Sequence, residues 1–407
     1  MGFALREVTI ARLGLQGDGL AEDIRAPFTL PGERVRGPVT DGVLAPAEIL
    51  AASPDRVTPP CVHFGTCGGC ALQHASDGFL ADWKRAVVLR ALAARDLAAD
   101  AGPTFVSPPR SRRRAVFAGR RTRKTTVVGF HARRSEAVVD VTECHLVRPE
   151  LLAARPALEA ITRVGASRAH GLRLTATLSD AGLDIDAGGG KPLDAGLRRD
   201  LAALAAVQDL ARLSWDGEPV AQRRPPAQPF GRARVVPPPG AFLQATAEGA
   251  AALTDAVLAT IRDARRVADL FAGCGTFTLP LAETAEVQAV EGDAAMLAAL
   301  DAGWRAAPGL RRVSSEVRDL FRRPLTPAEL DRFDAVVIDP PRAGAEAQAR
   351  ALAAARVPVV AAVSCNPVTF ARDAAILVAG GYRLADLQVI DQFRWSGHVE
   401  ISAAFRR

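Results

Sequence analysis

Several residue types are scarce in this chain of 407 residues, and each scarcity limits what the chain can be. It has one Tyr, two Met and six Cys, and its only lysines are Lys84, Lys124 and Lys191. No uncharged apolar run reaches the roughly 18 residues of a membrane-spanning helix, and the first residues lack the apolar core of a signal peptide. We therefore expect a cytoplasmic protein without a membrane segment, whose cysteines are thiols, metal ligands or catalysts rather than disulfides.

Arginine is abundant where lysine is missing, and with a net charge of +6 and an isoelectric point near 9.4 it favours a nucleic-acid partner. Because a GC-rich genome also enriches Arg and Ala, the distribution of charge is more informative than its total. Residues 107–134 carry ten basic residues and no Asp or Glu. On β-hairpins with interleaved Phe, they predict a positive face for RNA phosphates, with a merely solvated surface as the alternative. The ten are Arg110, Arg112, Arg113, Arg114, Arg120, Arg121, Arg123, Lys124, Arg133 and Arg134.

The length predicts two or three domains of an α/β protein. Residues 1–57 alternate short apolar runs with Gly, Pro and Asp turns, which is typical of a small OB-like β-barrel. Residues 58–238 predict a central α+β domain with a helix over 77–99. From 239 to 407, helices alternate with buried strands, which predicts a doubly wound, Rossmann-like parallel sheet. Its strands are expected at 266–271, 287–291, 335–338 and 357–364.

A glycine turn follows the first of these strands and predicts a cofactor pocket. Asp269 ends the strand, Gly273-x-Gly275 forms the turn, and Glu291 ends the next strand. A carboxylate about 20 residues past the turn is where this kind of fold binds ribose hydroxyls. The third glycine of the dinucleotide fingerprint is replaced by Thr278, so S-adenosylmethionine is favoured over NAD. A purely structural turn with an exposed Glu is the alternative.

Cys365 follows a buried strand in the sequence Ser-Cys-Asn-Pro, where an open α/β sheet presents its chemistry. Asp339-Pro-Pro-Arg342 ends the neighbouring strand; the Arg replaces the aromatic residue of amino-group methyltransferases, so another target atom is indicated. A thiolate that adds to carbon 6 of a pyrimidine makes carbon 5 able to attack a methyl group. Cys365 can be this nucleophile and Glu400 the base; an inert thiol and a surface carboxylate are the alternatives, and Cys274 is interpreted as packing.

Four further cysteines can hold a metal group. Cys61, Cys67 and Cys70 lie on one Gly-rich loop, and Cys144 is distant in the sequence. Zinc and iron–sulfur clusters both accept four cysteines, but zinc sites usually come as two pairs. The unpaired Cys144 favours a 4Fe-4S cluster, with zinc as the alternative and unligated thiols behind both.

Together these residues resemble the RNA 5-methyluridine (uracil-C5) methyltransferase family, which is S-adenosylmethionine-dependent, over nearly the whole chain. The resemblance implies a TRAM domain over 1–57, where Phe28–Val35 matches, and a catalytic domain over 239–407. It implies Cys365 as nucleophile, Glu400 as base, and a 4Fe-4S cluster on Cys61, Cys67, Cys70 and Cys144. It implies cofactor contacts by Gln244, Phe271, Glu291, Asp319 and Asp339. Thr246 and Thr276 depart from the residues common in the family.

The presence of both a TRAM-like domain and a cluster resembles the ribosomal branch of that family, so the expected substrate is 23S rRNA and the expected form is a monomer. A uridine in the T-loop of transfer RNA is the alternative substrate. A non-catalytic RNA-binding iron–sulfur protein is the alternative from another class. The intact Cys365, Glu400 and Gly273-x-Gly275 speak against it.

Overall fold

The computed structural model describes residues 5–167 and 169–407, and it begins with a small sheet around its own core. The strands pair in the order β1-β5-β6-β4-β3-β2, with β7 on β5, and enclose Ile10, Val35 and Leu44. The chain leaves β1 after Thr9 and pairs again from Arg12. The strands are β1 (Leu5–Thr9), β2 (Arg12–Leu13), β3 (Gly19–Ala21), β4 (Ile24–Ala26), β5 (Arg34–Thr40), β6 (Val43–Leu44) and β7 (Glu48–Ala51).

Helix α1 (Asp77–Ala93) begins at Ser76, whose side chain accepts a hydrogen bond from the Phe79 amide. The expected end at residue 99 is wrong, since the chain turns at Asp96 with φ of 57°. Leu92 of α1 packs into the core of the C-terminal sheet. Strand β8 (Phe105–Val106) joins that sheet as an edge strand, so part of the region expected as central completes the C-terminal domain.

The central sheet has seven strands in the order β11-β10-β9-β12-β13-β14-β15. Its core, with Phe117, Leu174, Ile185 and Trp215, lies between the sheet and helices α3 and α4. The elements are β9 (Arg114–Arg121), β10 (Thr126–His131), β11 (Val138–Asp140), α2 (Pro149–Ala153), α3 (Arg155–Gly165), β12 (Leu172–Ser179), β13 (Gly182–Gly188), α4 (Ala195–Val207), β14 (Arg212–Trp215) and β15 (Glu218–Gln222). A hairpin of β16 (Gln228–Phe230) and β17 (Ala233–Val235) follows.

The C-terminal sheet has eight strands in the order β20-β19-β18-β21-β22-β24-β23-β8. The first five are parallel, as expected for the doubly wound sheet, and β24 lies antiparallel between β22 and β23. The elements are α5 (Ala247–Ile261), β18 (Arg266–Leu270), α6 (Thr278–Leu281), β19 (Glu286–Glu291), α7 (Ala294–Ala306), β20 (Val313–Val317), α8 (Pro327–Leu330), β21 (Ala335–Ile338), α9 (Glu346–Ala354), β22 (Val359–Ser364), α10 (Pro367–Ala379), β23 (Arg383–Asp391) and β24 (Glu400–Arg406). Among the described residues, no helix is long and apolar enough to cross a membrane.

Candidate active site

The ends of four strands meet at one edge of the C-terminal sheet. β18, β21 and β22 are parallel neighbours, so Phe271, Asp339 and Cys365, which follow them, lie at the same edge. Because β24 runs antiparallel to β22, its first residue rather than its last lies at this edge. That residue is Glu400, which the strand direction thus brings beside Cys365.

Cys365 lies in a cluster of charged side chains. Burial raises the pKa of its thiol to about 11, and the carboxylates of Glu400 and Asp339 act in the same direction. The guanidinium of Arg342 opposes them and favours the thiolate. The three charged groups therefore surround the thiol and act on its pKa together.

Glu400 is almost wholly buried, with 3% of its surface exposed. Burial raises its pKa to about 8 and Asp339 adds to this effect, whereas a hydrogen bond from Gln392 and the charge of Arg342 lower it. Burial, reinforced by Asp269, also raises the pKa of Asp339 to about 7. Carboxyl groups with a pKa near neutrality can take up or release a proton at physiological pH, as a general base requires.

The turn after β18 is shaped by backbone conformations that favour glycine. Gly273 and Gly275 have φ of 54° and 94°, and the Phe271 between them and the strand has φ of 63°. A Cβ on Gly275 would lie 2.9 Å from Cγ of Leu300, so packing also requires glycine there. The amide of Gly273 donates a hydrogen bond of 3.0 Å to the carboxylate of Glu291. The turn and Glu291 thus fix each other at the position where the sequence predicts the cofactor.

The remaining residues expected at the cofactor have different neighbours. The Asp319 carboxylate accepts a hydrogen bond of 2.9 Å from the Phe321 amide, and the Phe321 ring lies 5.5 Å from that of Phe271. Gln244 is buried, and its Oε1 accepts a hydrogen bond from Nε2 of Gln392 at 2.5 Å. The structure therefore places Asp319 with Phe271, and Gln244 nearer Glu400.

Sequence reasoning missed the ion pair that holds the loop between β23 and β24. Nζ of Lys84 in α1 lies 2.6 Å from Oδ1 of Asp391, and both side chains are at most 3% exposed. The same Nζ donates to the carbonyl of Phe393 at 3.1 Å. The only signal in the sequence was Lys84 itself, one of three lysines, at a position inside an otherwise apolar helix face.

The four cysteines of the first 150 residues line a single cavity of about 190 Å³. Cys61, Cys67 and Cys70 come from the loop and Cys144 from the segment after β11. Burial raises the pKa of Cys70 to about 12, and the other three thiols add to the effect. Arg112 also lines the cavity. The structure thus brings together the four residues that the sequence singled out.

Within the described residues, no three His, Cys, Asp or Glu side chains are placed to hold a metal ion. Four sulfurs around one zinc ion would lie about 3.8 Å apart, because each Zn–S bond is about 2.3 Å. In a cubane cluster each sulfur binds its own iron, so the sulfurs are farther apart. The described residues therefore favour neither zinc nor a cluster over the other.

Three comparisons identify the family. A family model described as tRNA (Uracil-5-)-methyltransferase matches residues 237–407. A Brucella suis protein named as an uncharacterized RNA methyltransferase is 48% identical to this chain, over 98% of each. The 23S rRNA (uracil(1939)-C(5))-methyltransferase RlmD of Halomonas elongata is 36% identical, over 97% of this chain and 88% of its own. The chain belongs to the RNA uracil-5-methyltransferase family.

The family and the enzyme class predicted from the sequence are thus confirmed. The structure of Pyrococcus abyssi tRNA (uracil-54, C5)-methyltransferase, in complex with S-adenosyl-L-homocysteine, matches with a TM-score of 0.78. It is 22% identical and covers 98% of this chain and 99% of that one. At this identity the match shows the fold, and it confirms the α/β methyltransferase fold.

The basic residues of 107–134 do not form one exposed face in this methyltransferase. Nε of Arg113 donates to the Gln244 carbonyl at 3.2 Å, and Arg114 donates to the Gly240 carbonyl at 3.0 Å. Burial lowers the pKa of both guanidinium groups, and of Arg112 as well. These three arginines join the central sheet to the segment that carries Gln244.

Arg133 and Arg134 have a second structural role. Both pair with the buried carboxylate of Asp18 in the N-terminal sheet, Arg134 at 2.9 Å. The Arg133 guanidinium also lies 4.8 Å from the centre of the Phe28 ring. For these two and for Arg112 to Arg114, the prediction of a phosphate-binding face is wrong, because their charges are already used between domains.

Four basic residues do match the predicted face. They lie exposed at the hairpin between β9 and β10, where Arg121 and its neighbours line one polar depression with Arg163. The ion pairs found in the described part of the chain include none between these four and a carboxylate. Their charge is therefore available to a polyanion. The four are Arg120, Arg121, Arg123 and Lys124.

Proposed function

We propose that this enzyme transfers a methyl group from S-adenosylmethionine to carbon 5 of a uridine in 23S rRNA, through a covalent bond between Cys365 and the uracil ring. One observation carries the proposal: the antiparallel β24 places a buried carboxylate, Glu400, beside the thiol at the cofactor edge of the sheet. Asp339 and Arg342 complete the cluster. A methyltransferase that acted on an exposed amine or hydroxyl would not need a thiol with its own base.

The residues of the chain act in a fixed order. The Cys365 thiolate adds to carbon 6 and the electron pair of the 5,6 double bond moves onto the carbonyl, which makes carbon 5 nucleophilic. S-adenosylmethionine supplies the electrophilic methyl group that carbon 5 takes. Glu400 then removes the proton from carbon 5, the double bond re-forms and Cys365 leaves as thiolate. Arg342 stabilises that thiolate, because it is the cation that lowers its pKa.

The same edge offers contacts for the methyl donor. We assign Phe271, Glu291 and Asp319 to the side of the adenosine, where the glycine turn leaves the backbone accessible. Gln244 and Asp339 lie on the side of Cys365 and Glu400, so they are assigned to the methionine end. The fit is supported by the buried Oδ1 of Asp269 below the turn, which has no hydrogen-bond partner in the described part of the chain.

We further propose that Cys61, Cys67, Cys70 and Cys144 hold a 4Fe-4S cluster. The donor set is four thiols in one cavity, and two of the sulfurs accept backbone hydrogen bonds of 3.4 Å, Cys67 from Gly69 and Cys144 from Leu146. Such bonds and the neighbouring Arg112 stabilise negative sulfur. The cluster would supply a covalent link between the loop and the central sheet.

The assignment to 23S rRNA rests on the relatives and on the exposed hairpin. RlmD, a 23S rRNA enzyme by name, matches over 97% of this chain. We divide the chain into a TRAM-like barrel (1–57), a central RNA-binding domain (58–238) whose α1 and β8 pack on the catalytic sheet, and a catalytic domain (239–407), acting as a cytoplasmic monomer. The exposed cations of the β9–β10 hairpin belong to the central domain, which suits a large folded RNA.

Mapping 5-methyluridine in a deletion strain tests the substrate. We expect one site in 23S rRNA to lose its methyl group, with the T-loop uridine of transfer RNA unchanged. Complementation with the wild-type gene should restore the site, and complementation with Cys365→Ala should not. If only the transfer-RNA methyl group is lost, the substrate is the T-loop uridine of transfer RNA, the alternative named above.

A further inference from the structure

We propose that Gln392 is a positioning residue that fixes both Glu400 and Gln244, and so keeps the base and the cofactor side of the cleft aligned. The inference rests on the function proposed above. Gln392 lies in the loop between β23 and β24 and is 2% exposed. A glutamine can reach two groups at once because its amide offers two N–H donors and one acceptor oxygen.

The hydrogen bonds of Gln392 fix the orientation of its amide. Its Oε1 accepts from the Ala245 amide at 2.8 Å and from the Thr246 amide at 3.5 Å. Backbone amides only donate, so the oxygen must face them and Nε2 must face the other way. Nε2 then donates to Oε1 of Gln244 at 2.5 Å. The described residues offer no acceptor to Nε2 of Gln244, which leaves its two N–H groups for a ligand.

Ile390 pairs with Glu400 across β23 and β24, which brings Gln392, two residues further along the chain, next to the Glu400 carboxylate, whose pKa the Gln392 side chain lowers. A donor favours the charged form of a carboxylate, which is the form that can accept a proton. Asp339 and Cys365 are the negative or ionisable groups beside Glu400, and Arg342 is its cation. The loop also carries Arg394, which is paired with Asp77, and His398, whose pKa is lowered by burial, so that its imidazole is neutral near pH 7.

Gln392 is itself held on two sides. Its neighbour Asp391 is paired with Lys84, which anchors the loop to α1. On the other side, a Cβ on Gly249 would lie 2.7 Å from Cβ of Gln392, so α5 packs directly against this side chain. A side chain fixed in this way can transmit position, because it cannot move away from either partner without moving the loop or the helix.

Two substitutions separate positioning from packing. Gln392→Met keeps the length and removes all the hydrogen bonds, whereas Gln392→Glu keeps the acceptor for Ala245 and removes the donors. Gln348→Met is the matched control, since Gln348 is 1% exposed and, among the residues that the structure describes, bonds only to the backbone of Leu325, at 2.8 and 3.2 Å. Each variant is assayed for kcat against pH and KM for S-adenosylmethionine on an RNA that the wild type methylates, and for binding of S-adenosylhomocysteine by calorimetry.

We expect both Gln392 variants to move the pH limb set by Glu400 upward by about one unit or more, since a hydrogen bond to a charged group is removed. The shift should be larger for Gln392→Glu, which adds a negative charge. KM for S-adenosylmethionine and the dissociation constant of S-adenosylhomocysteine should both rise about tenfold. Gln348→Met should leave the pH limb and both constants unchanged.

Two results would overturn the inference. One is an unchanged pH limb and cofactor affinity in both Gln392 variants while the wild type methylates RNA. The other is an equal change in Gln348→Met, which would show general loosening of the domain. Failure of the wild type to methylate any RNA would instead overturn the proposed function, and the calorimetric comparison would still decide whether Gln392 orients Gln244.

Discussion

The catalytic edge and the cysteine cavity both contain buried thiols, but their neighbours differ. Burial raises the pKa of Cys365 to about 11 and that of Cys70 to about 12. Beside Cys365 lie two carboxylates and one guanidinium, whereas beside Cys70 lie three other thiols. The neighbours rather than burial therefore distinguish the nucleophile proposed at Cys365, which needs a base nearby, from the metal ligand proposed at Cys70, which needs other ligands.

The two regions are joined by the loop between β23 and β24. The amides of Ala71 and Leu72, next to the cysteine loop, donate to the carbonyl of Trp395 at 2.9 and 3.1 Å. Arg112, which lines the cavity, lies 5.8 Å from the centre of the Phe393 ring. The cysteine loop thus supports the chain segment that ends in Glu400, so a change in the cavity can reach the catalytic edge.

Removing one thiol from the catalytic edge should have the largest effect. Cys365→Ala should lower methyl transfer by at least about 10³-fold, on the scale expected when a covalent nucleophile is removed. Binding of S-adenosylhomocysteine, measured by calorimetry, should change little. Cys274→Ala is the control for the loss of a buried thiol, because Cys274 packs in a separate apolar cluster with Phe230 and Leu279, and this variant should stay active. If Cys365→Ala and Cys274→Ala turn over at comparable rates, Cys365 is not the nucleophile.

Removing one thiol from the cavity should mainly lower the iron content of the protein. The protein purified anaerobically should contain about four irons per chain. Cys61→Ser, or the same change at Cys67, Cys70 or Cys144, should lose iron and soluble protein, with activity reduced through the supported loop rather than abolished. Iron analysis and residual kcat are the measurements, with Cys274→Ser as the control. Stoichiometric zinc without iron would favour the zinc alternative over the cluster.

The raised pKa of Glu400 predicts a pH dependence that the cavity does not share. A carboxyl group with a pKa near 8 is mostly neutral at pH 7 and mostly charged at pH 9. Because the base acts in its charged form, kcat should rise about tenfold between these values. The iron content should stay constant over the same range. A flat profile, with chemistry shown to be rate-limiting, would place the base elsewhere.

The smallest effect is expected at the hairpin. Reversing the charges of Arg120, Arg121, Arg123 and Lys124 should raise KM for RNA and leave KM for S-adenosylmethionine unchanged. For every phosphate that these residues no longer bind, the slope of log affinity against log salt should fall by about 0.7 to 0.9. Reversing Arg113 and Arg114 is the contrasting pair. They hold the Gln244 segment, so this change should impair cofactor binding as well.

The site residues that could be predicted from the sequence are those that follow an apolar strand or belong to a rare amino-acid type. Cys365 and Asp339 follow apolar strands, and the parallel order of those strands places them together. The four cavity cysteines stood out because the chain has only six. The fold class followed from the alternation of helices and buried strands, and the comparisons confirm it.

The features that could not be predicted from the sequence depend on contacts between segments that are distant along the chain. The antiparallel insertion of β24 is set by tertiary packing, and without it Glu400 has no visible reason to lie near Cys365. Gln392 carries no motif, and its proposed role depends on four partners, Gln244, Ala245, Thr246 and Glu400. The sequence of residues 107–134 shows that they are rich in arginine. It does not show which of these arginines bond to Asp18 or to the segment that carries Gln244.

Trapping the covalent adduct between the protein and RNA with the Glu400→Gln variant tests the proposed roles of Cys365 and Glu400 in one experiment. This variant should methylate carbon 5 but fail to remove its proton, so a protein–RNA species should survive denaturation. Mass spectrometry of the digested species should place a methylated uridine on the peptide that contains Cys365. Normal turnover without an adduct, or an adduct on another residue, would contradict the pairing of Cys365 with Glu400.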